Sequence, residues 1–295
     1  MKQYDLDSLD NRDPKAVERA LRIAKPILQA LFQPEVRGIE NVPQGAALYV
    51  GNHNSGVVMP ESYVLATAVH AAHGMDAVPY GLAHEIAIRV PIAHQMLVPL
   101  GAVRASHDNG RRLFERGKKV LVFPGSDIDT YRPYRDRHRV IFGKRRGYVR
   151  LALRSGVPII PVVTAGAHET FYVIDDGRSI ARALRLDKLL RVKVWPLILS
   201  VPYGLTLGPI PPHLPLPSPI RMQILPPIHF DRSGEEAVAD SDYVEQCHER
   251  VLGEMQATLT SLGEEEGSWG GPRDRLERRL AGIRSLLGSI SKLGD

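Results

Sequence analysis

The 295-residue chain has a single cysteine, Cys247, so it can form no internal disulfide and no cysteine-rich metal cluster, which suits a reducing compartment. Aromatic residues are scarce, at 6%, and do not interleave with the basic clusters. Together with the absence of any zinc-finger, RNP or helix-turn-helix pattern, this argues against nucleic acid as a partner. The first twenty residues, MKQYDLDSLDNRDPKAVERA, are acidic and polar where a secretory signal needs a continuous apolar stretch, so no secretory address is expected. The longest apolar stretch runs from Trp195 to Leu207, WPLILSVPYGLTL. It falls short of the roughly 20 residues a spanning helix needs and is broken by Pro196 and Pro202, leaving interface or core as its expected setting. No metal is expected either: His70 and His73 are three apart on one predicted helix, but neither they nor His84 have a carboxylate or cysteine at ligand spacing.

What is present is ordinary globular material, 43% hydrophobic and 24% charged, which excludes wholesale disorder and collagen-like repetition. Basic residues exceed acidic ones by 38 to 33, a net charge of +5 that favours an anionic partner such as a membrane surface or a phosphorylated substrate. Val17, Leu21, Ala24, Leu28 and Leu31 recur at helical spacing after Asp13 as N-cap and Pro14 at the first helical position, predicting an amphipathic helix over 14–33 with a kink at Pro26. Strands are expected at Ala47 to Asn52, Asp76 to Leu82, Lys119 to Phe123 and Val157 to Thr164. Helices are expected from Pro60 to about His73, from Asn109 to Gly117 and from Arg146 to Ser155. That alternation suggests a sheet with helices packed on it. Further on, 178–193 is basic with interleaved leucine and isoleucine, and 209–219 is a proline-rich connector. RMQILPPI, from Arg221, reads as an edge strand, Tyr243 to Leu262 as a helix, and 273–292 as a basic amphipathic tail.

Three stretches carry candidate chemistry. In GNHNSGVVMPE, from Gly51 to Glu61, a histidine follows a short strand and a carboxylate stands eight residues on at the mouth of a helix. Such a pair makes a base whose second nitrogen is held by an acid, although a loop histidine with a structural hydrogen bond reads the same way. In KKVLVFPGSDIDTYRP, from Lys118 to Pro133, a strand stops at Phe-Pro-Gly, and the Gly-Ser pair either admits backbone amides to an anionic ligand or closes an ordinary turn. The third, RLALRSGVPIIPVVTAG from Arg150 to Gly166, reads by physics alone as helix, turn and buried strand.

In order and spacing, Gly-Asn-His, then Phe-Pro-Gly, then Val-Pro-Ile-Ile-Pro-Val resemble the glycerolipid and lysophospholipid acyltransferase superfamily over roughly residues 46–168. The family's usual His, four residues, Asp signature has Val58 at the acidic position, with Glu61 as the nearest acid, and its Phe-Pro-Glu-Gly block is here Phe123-Pro124-Gly125-Ser126. Both departures are more similar to the diacylglycerol-acyltransferase-like branch. The resemblance implies an α/β fold with a mixed, mostly parallel sheet flanked by helices, and amphipathic helices at both ends. It implies an acyltransferase moving a fatty acyl group from an acyl-CoA or acyl-carrier-protein thioester to a glycerolipid or lysophospholipid hydroxyl, with no bound cofactor.

On this reading His53 is the base and Glu61 orients it, with Asp127 as reserve acid. Asn52, Gly56, Phe123, Pro124, Gly125 and Ser126 line the substrate, with amides around Gly125 and Ser126 as oxyanion donors. Arg104, in the Gly-led block Gly101-Ala102-Val103-Arg104, and also Arg132 and Lys144, would hold a phosphate. Neither Cys247 nor a G-x-S-x-G elbow supplies a nucleophile, and Ser55 reads better as a turn or capping residue. The expected organisation is an N-terminal amphipathic segment over 1–38, an α/β domain over 39–232 with a basic, apolar and proline-rich insertion at 178–219, a C-terminal helix over 233–263, and a linker and basic tail over 264–295. The amphipathic segments suggest a cytoplasmic protein lying peripherally on the anionic inner face of a membrane. The alternatives are a lipid or thioester hydrolase using the same base, and a catalytically silent lipid-binding protein.

Overall fold

The computed structural model describes residues 2–53, 59–183, 185, 194–200, 203–208, 214–266, 277, 280 and 281. Asp13 caps the first helix through its side chain, accepting from the Lys15 amide, and α1 runs Pro14–Phe32 with Pro26 inside it. In chain order there follow β1 Glu35–Arg37, β2 Ala47–Gly51, α2 Pro60–His73, β3 Tyr80–Ala83, α3 Glu85–Arg89, α4 Pro91–Leu97, β4 Ala102–Arg104 and α5 His107–Glu115. Next come β5 Lys119–Val122, α6 Ser126–Thr130, α7 Gly147–Ser155, β6 Ile159–Ala165, β7 Tyr172–Asp175, α8 Arg178–Ala183, β8 Leu197–Ser200 and β9 Gly204–Leu207. The chain continues through β10 Arg221–Ile224, α9 Gly234–Ala239 and α10 Ser241–Glu266.

Ten strands form two sheets among the described residues. The larger has the order β1-β10-β6-β2-β5-β3-β4. Its block from β6 to β4 is parallel, and only the β10–β6 pairing is antiparallel. The mixed, mostly parallel α/β architecture expected from the sequence is therefore what forms. All five residues of β2 are buried, as a strand covered on both faces requires. Ala47 and Tyr49 pack with Val17, Leu21 and Leu28 of α1 and Val64 and Val69 of α2 on one side. Leu48 and Val50 pack with Leu113 of α5, Leu151 of α7 and Val251 and Met255 of α10 on the other. The period-2 alternation of one strand thus holds three layers together.

Two local expectations change. Arg221–Ile224 is not an edge strand: β1 pairs with it on the far side, so the sheet ends instead on three residues whose Glu35 and Arg37 face solvent, a short charged edge that resists pairing with another chain. Residues Met75–Ala77 form a 3-10 turn, and β3 begins only at Tyr80. The apolar run beginning at Trp195 contributes β8 and β9 of a second, three-stranded sheet with the order β7-β8-β9. Of the basic stretch 178–193, residues 184 and 186–193 lie outside the described residues, as do 209–213 of the proline-rich connector and most of the tail 273–292. No helix among the described residues is long and apolar enough to cross a membrane.

Under α10, the buried His248 ring shares a hydrogen bond of 2.9 Å between its Nδ1 and the Tyr148 hydroxyl and packs near Phe142. Burial, reinforced by Arg146 and opposed by Glu245, pushes its pKa down to about 4. Unfolded, the same imidazole titrates near 6.5, so between those values the unfolded chain binds more protons and stability falls as pH falls. The neutral ring should contribute about 3 kcal/mol above pH 6.5 that is lost on acidification to pH 4. Urea unfolding across this window should show the stability difference between wild type and His248→Gln shrinking as pH drops; a difference independent of pH would remove the assignment.

Candidate active site

Strand β2 lies at the centre of the sheet, between β5 and β6, so its carboxyl end opens where the chain departs to opposite sides. Asn52 is fully buried there. Its Oδ1 accepts from the Thr164 amide at 2.8 Å and its Nδ2 donates to the Thr164 carbonyl at 2.9 Å. The side-chain amide acts as one more rung between β2 and β6, so Asn52 aims the loop that begins at His53.

His53 follows. Its backbone N–H donates to Asp129 Oδ2 at 2.6 Å, and its carbonyl accepts from Arg132 Nη1 at 2.6 Å. Its ring Nδ1 lies 2.9 Å from Glu61 Oε1, with the imidazole side chain 12% exposed and the carboxylate 2%. A carboxylate only accepts, so Nδ1 carries the proton and Nε2 keeps its lone pair. Phe123 stacks on the imidazole with centroids 4.7 Å apart and an interplanar angle of 28°. A Cβ at Gly51 would come within 2.6 Å of that phenyl ring, which is why the residue two before His53 is glycine. Glu61 sits in the first turn of α2 just after Pro60, where unpaired helical amides favour a negative charge. Met59, in the left-handed region at φ 49°, turns the chain sharply into that helix.

The Phe-Pro-Gly-Ser stretch is a tight turn leaving β5. The Ser126 amide donates to the Phe123 carbonyl at 3.2 Å, so it is occupied in closing the turn and is not an oxyanion donor in this conformation. Gly125 is obligatory, because a Cβ there would meet Asp129 Cβ at 2.1 Å. Arg145 binds the Gly125 carbonyl and, through Nη2 at 2.9 Å, Asp127 Oδ1. Asp127 is therefore paired away from His53, and Glu61 is the acid that meets the imidazole.

The sequence reading missed Asp129. It is fully buried, and its carboxylate takes the His53 amide, Arg132 Nη1 at 2.9 Å and the Ile141 amide at 3.1 Å. Burial pushes its pKa up, opposed by Arg132 and the two backbone amides. Three donors converging on acceptor-only oxygens fit the ionised form. The signal was there as an Asp and an Arg three apart after the Pro-Gly turn.

Arg132 is a correction. Its side chain is 0% exposed and its guanidinium also binds the Asp129 carbonyl at 2.8 Å and the Arg137 carbonyl at 3.0 Å, so it clamps His53 and is sealed from any phosphate. Arg104, at the end of the edge strand β4, is separated from β2 by β5 and β3. It is chelated by Asp7, with Nε to Oδ1 at 2.9 Å, which ties it to the N-terminal segment and away from His53. Lys144 is exposed on a turn beside Arg145 and is not brought to the imidazole by any contact. Pro124 lies partly exposed in the turn next to Phe123. Gly56 and Ser55 lie outside the described residues. What converges is a carboxylate-oriented imidazole whose other ring nitrogen makes no hydrogen bond among the described residues, an aromatic wall, and a buried ion pair fixing its backbone.

Comparison with known proteins finds the Acyltransferase family model matching residues 33–165. An uncharacterized protein of Mycobacterium tuberculosis is 30% identical over 249 residues, which cover 81% of this chain and 65% of that protein. This chain therefore spans just under two thirds of that relative's length. A mouse protein named DGAT1/2-independent enzyme synthesizing storage lipids is 24% identical over 137 residues, 46% of this chain and 40% of that one. Among solved structures, PlsC, the 1-acyl-sn-glycerophosphate acyltransferase of Thermotoga maritima, is similar at a TM-score of 0.48 and 20% identity, covering 82% of this chain and 80% of that one.

Proposed function

The chain belongs to the glycerolipid acyltransferase superfamily, and from that premise we propose that it transfers a fatty acyl group from a coenzyme A or carrier-protein thioester to a hydroxyl of a glycerolipid or lysophospholipid. The observation that carries the reading is the 2.9 Å contact between His53 Nδ1 and Glu61 Oε1, which leaves Nε2 as a base beside Phe123. Nε2 takes the acceptor's hydroxyl proton as that oxygen attacks the thioester carbonyl carbon. Glu61 stabilises the imidazolium that forms. The tetrahedral intermediate then expels the thiolate, which takes the same proton back and leaves as a thiol, so no acyl-enzyme and no nucleophilic side chain are needed. The acceptor is a lipid, so the enzyme works peripherally at an anionic membrane surface, on its cytoplasmic side.

Incubation with labelled acyl-CoA or acyl-carrier protein and a panel of lysophospholipids, mono- and diacylglycerols tests this. New ester supports the transferase, free acid alone replaces it with a hydrolase, and neither product leaves a silent lipid binder. Glu61→Gln is expected to lower kcat about 100-fold, the lower end of the general-base range, with little change in KM. An amide can donate to Nδ1 and so move the ring proton to Nε2, where it blocks the base. Unchanged steady-state kcat in this variant would remove Glu61 from the pair.

A further inference from the structure

Strand β6 holds the start of the His53 segment from one side, since Thr164 is the partner of Asn52. The turn that ends the same strand reaches that segment a second time. Gly166, at φ 84°, swings the chain away from β6, and a Cβ there would lie 1.9 Å from the Pro219 carbonyl oxygen. Ala167–Thr170 then form one 3-10 turn in which all four residues are buried. The Thr170 hydroxyl donates to the Ala167 carbonyl at 2.7 Å and closes it. Two strongly polar side chains, His168 and Glu169, are thereby buried to 2% and 9% exposure, where each requires a partner.

Both partners belong to the loop that clamps His53. His168 Nε2 lies 2.8 Å from the Arg132 carbonyl. A carbonyl only accepts, so Nε2 carries the proton and donates it. Glu169 Oε1 lies 3.2 Å from Arg137 Nε, and the Arg137 carbonyl in turn accepts from Arg132 Nη2 at 3.0 Å. Consecutive residues of one turn therefore fix Arg132 at its backbone and, through Arg137, at its guanidinium. Nη1 of that guanidinium donates to the His53 carbonyl at 2.6 Å. An arginine side chain has many rotamers, and only one anchored along its length holds a distant carbonyl in a single place.

We infer that His168 and Glu169 are positioning residues for the reaction, holding the His53 imidazole in line through Arg132. The inference deepens the proposed function and rests on it for the role of His53. Strand β6 then sets the base from two directions, through Thr164 on Asn52 and through the 167–170 turn on Arg132.

Steady-state kinetics of His168→Gln, His168→Asn, Arg132→Met and Arg132→Met/His168→Asn test this. Glutamine carries an amide nitrogen about as far from the backbone as Nε2, whereas asparagine stops one carbon short of the Arg132 carbonyl. His168→Asn should lower kcat on the order of 10- to 100-fold with KM little changed, and His168→Gln should recover most of the loss. In the Arg132→Met background the asparagine substitution should cost little further kcat, because the link to His53 is already broken. Glu169→Gln reads the second arm, with an expected loss in kcat of about tenfold, and stands even if the asparagine variant folds poorly. Wild-type kcat in His168→Asn or Glu169→Gln, glutamine as slow as asparagine at position 168, or losses that multiply in the double variant would each overturn the inference. Wild type that releases free acid in place of ester would overturn the transferase reading alone, and the same kcat comparison then runs on hydrolysis, which uses the same base. Wild type giving neither product would overturn both.

Discussion

His53→Ala is expected to reduce acyl transfer by about 100- to 10,000-fold, the typical consequence of losing a general base. The backbone contacts that hold this residue, from its amide to Asp129 and from Arg132 to its carbonyl, do not involve the ring and survive the substitution. What alanine removes from the structure is the Phe123 stack and a hydrogen-bond donor to Glu61, whose carboxyl is buried. Depriving a buried carboxyl of a partner costs about 1–3 kcal/mol, so some loss of stability accompanies the loss of rate. His53→Gln separates the two effects, since its amide can donate to Glu61 but offers no basic nitrogen. Both variants should be nearly inactive, and the glutamine variant should melt closer to wild type. A purified variant of either kind with normal turnover would take the base away from position 53.

Much of this site was legible because the residues that build it are local in sequence. Asp13 and Pro14 mark the start of α1, the strands expected at 47–52 and 157–164 form as β2 and β6 within a residue or two of those bounds, and the eight-residue spacing from His53 to Glu61 already placed an acid at a helix mouth. The parts that were not legible depend on where distant segments meet. Nothing local to Arg132 distinguishes an arginine facing solvent from one sealed beneath a loop 79 residues earlier. Arg104 is in the same position, because its partner Asp7 is 97 residues away. The part Asn52 plays in the ladder was hidden for a related reason: a polar side chain at a strand end can extend the ladder, and only the neighbouring Thr164 shows that it does. The second sheet escaped because β7 and β8 are separated by the basic connection and pair only in three dimensions.

The Asp129–Arg132 pair should show the largest effect on stability of any substitution near the site. Both side chains are fully excluded from solvent, and breaking such a pair by removing one partner costs about 3–5 kcal/mol, because the other charge stays buried and uncompensated. Arg132→Met is therefore expected to lower the melting temperature by on the order of 10 °C, and Asp129→Leu by a comparable amount. The double variant Asp129→Leu/Arg132→Met should recover most of that loss, since replacing both ions by apolar groups leaves no orphaned charge. Activity should not recover with it. The His53 amide and carbonyl each lose the group that fixes them, and an imidazole displaced by even about 1 Å can cost roughly 100-fold in rate. Urea unfolding and kcat measured on all four proteins separate these claims. Stability restored while kcat stays low identifies the ion pair as the clamp on the base, whereas stability and rate returning together would reduce it to a packing element of the turn.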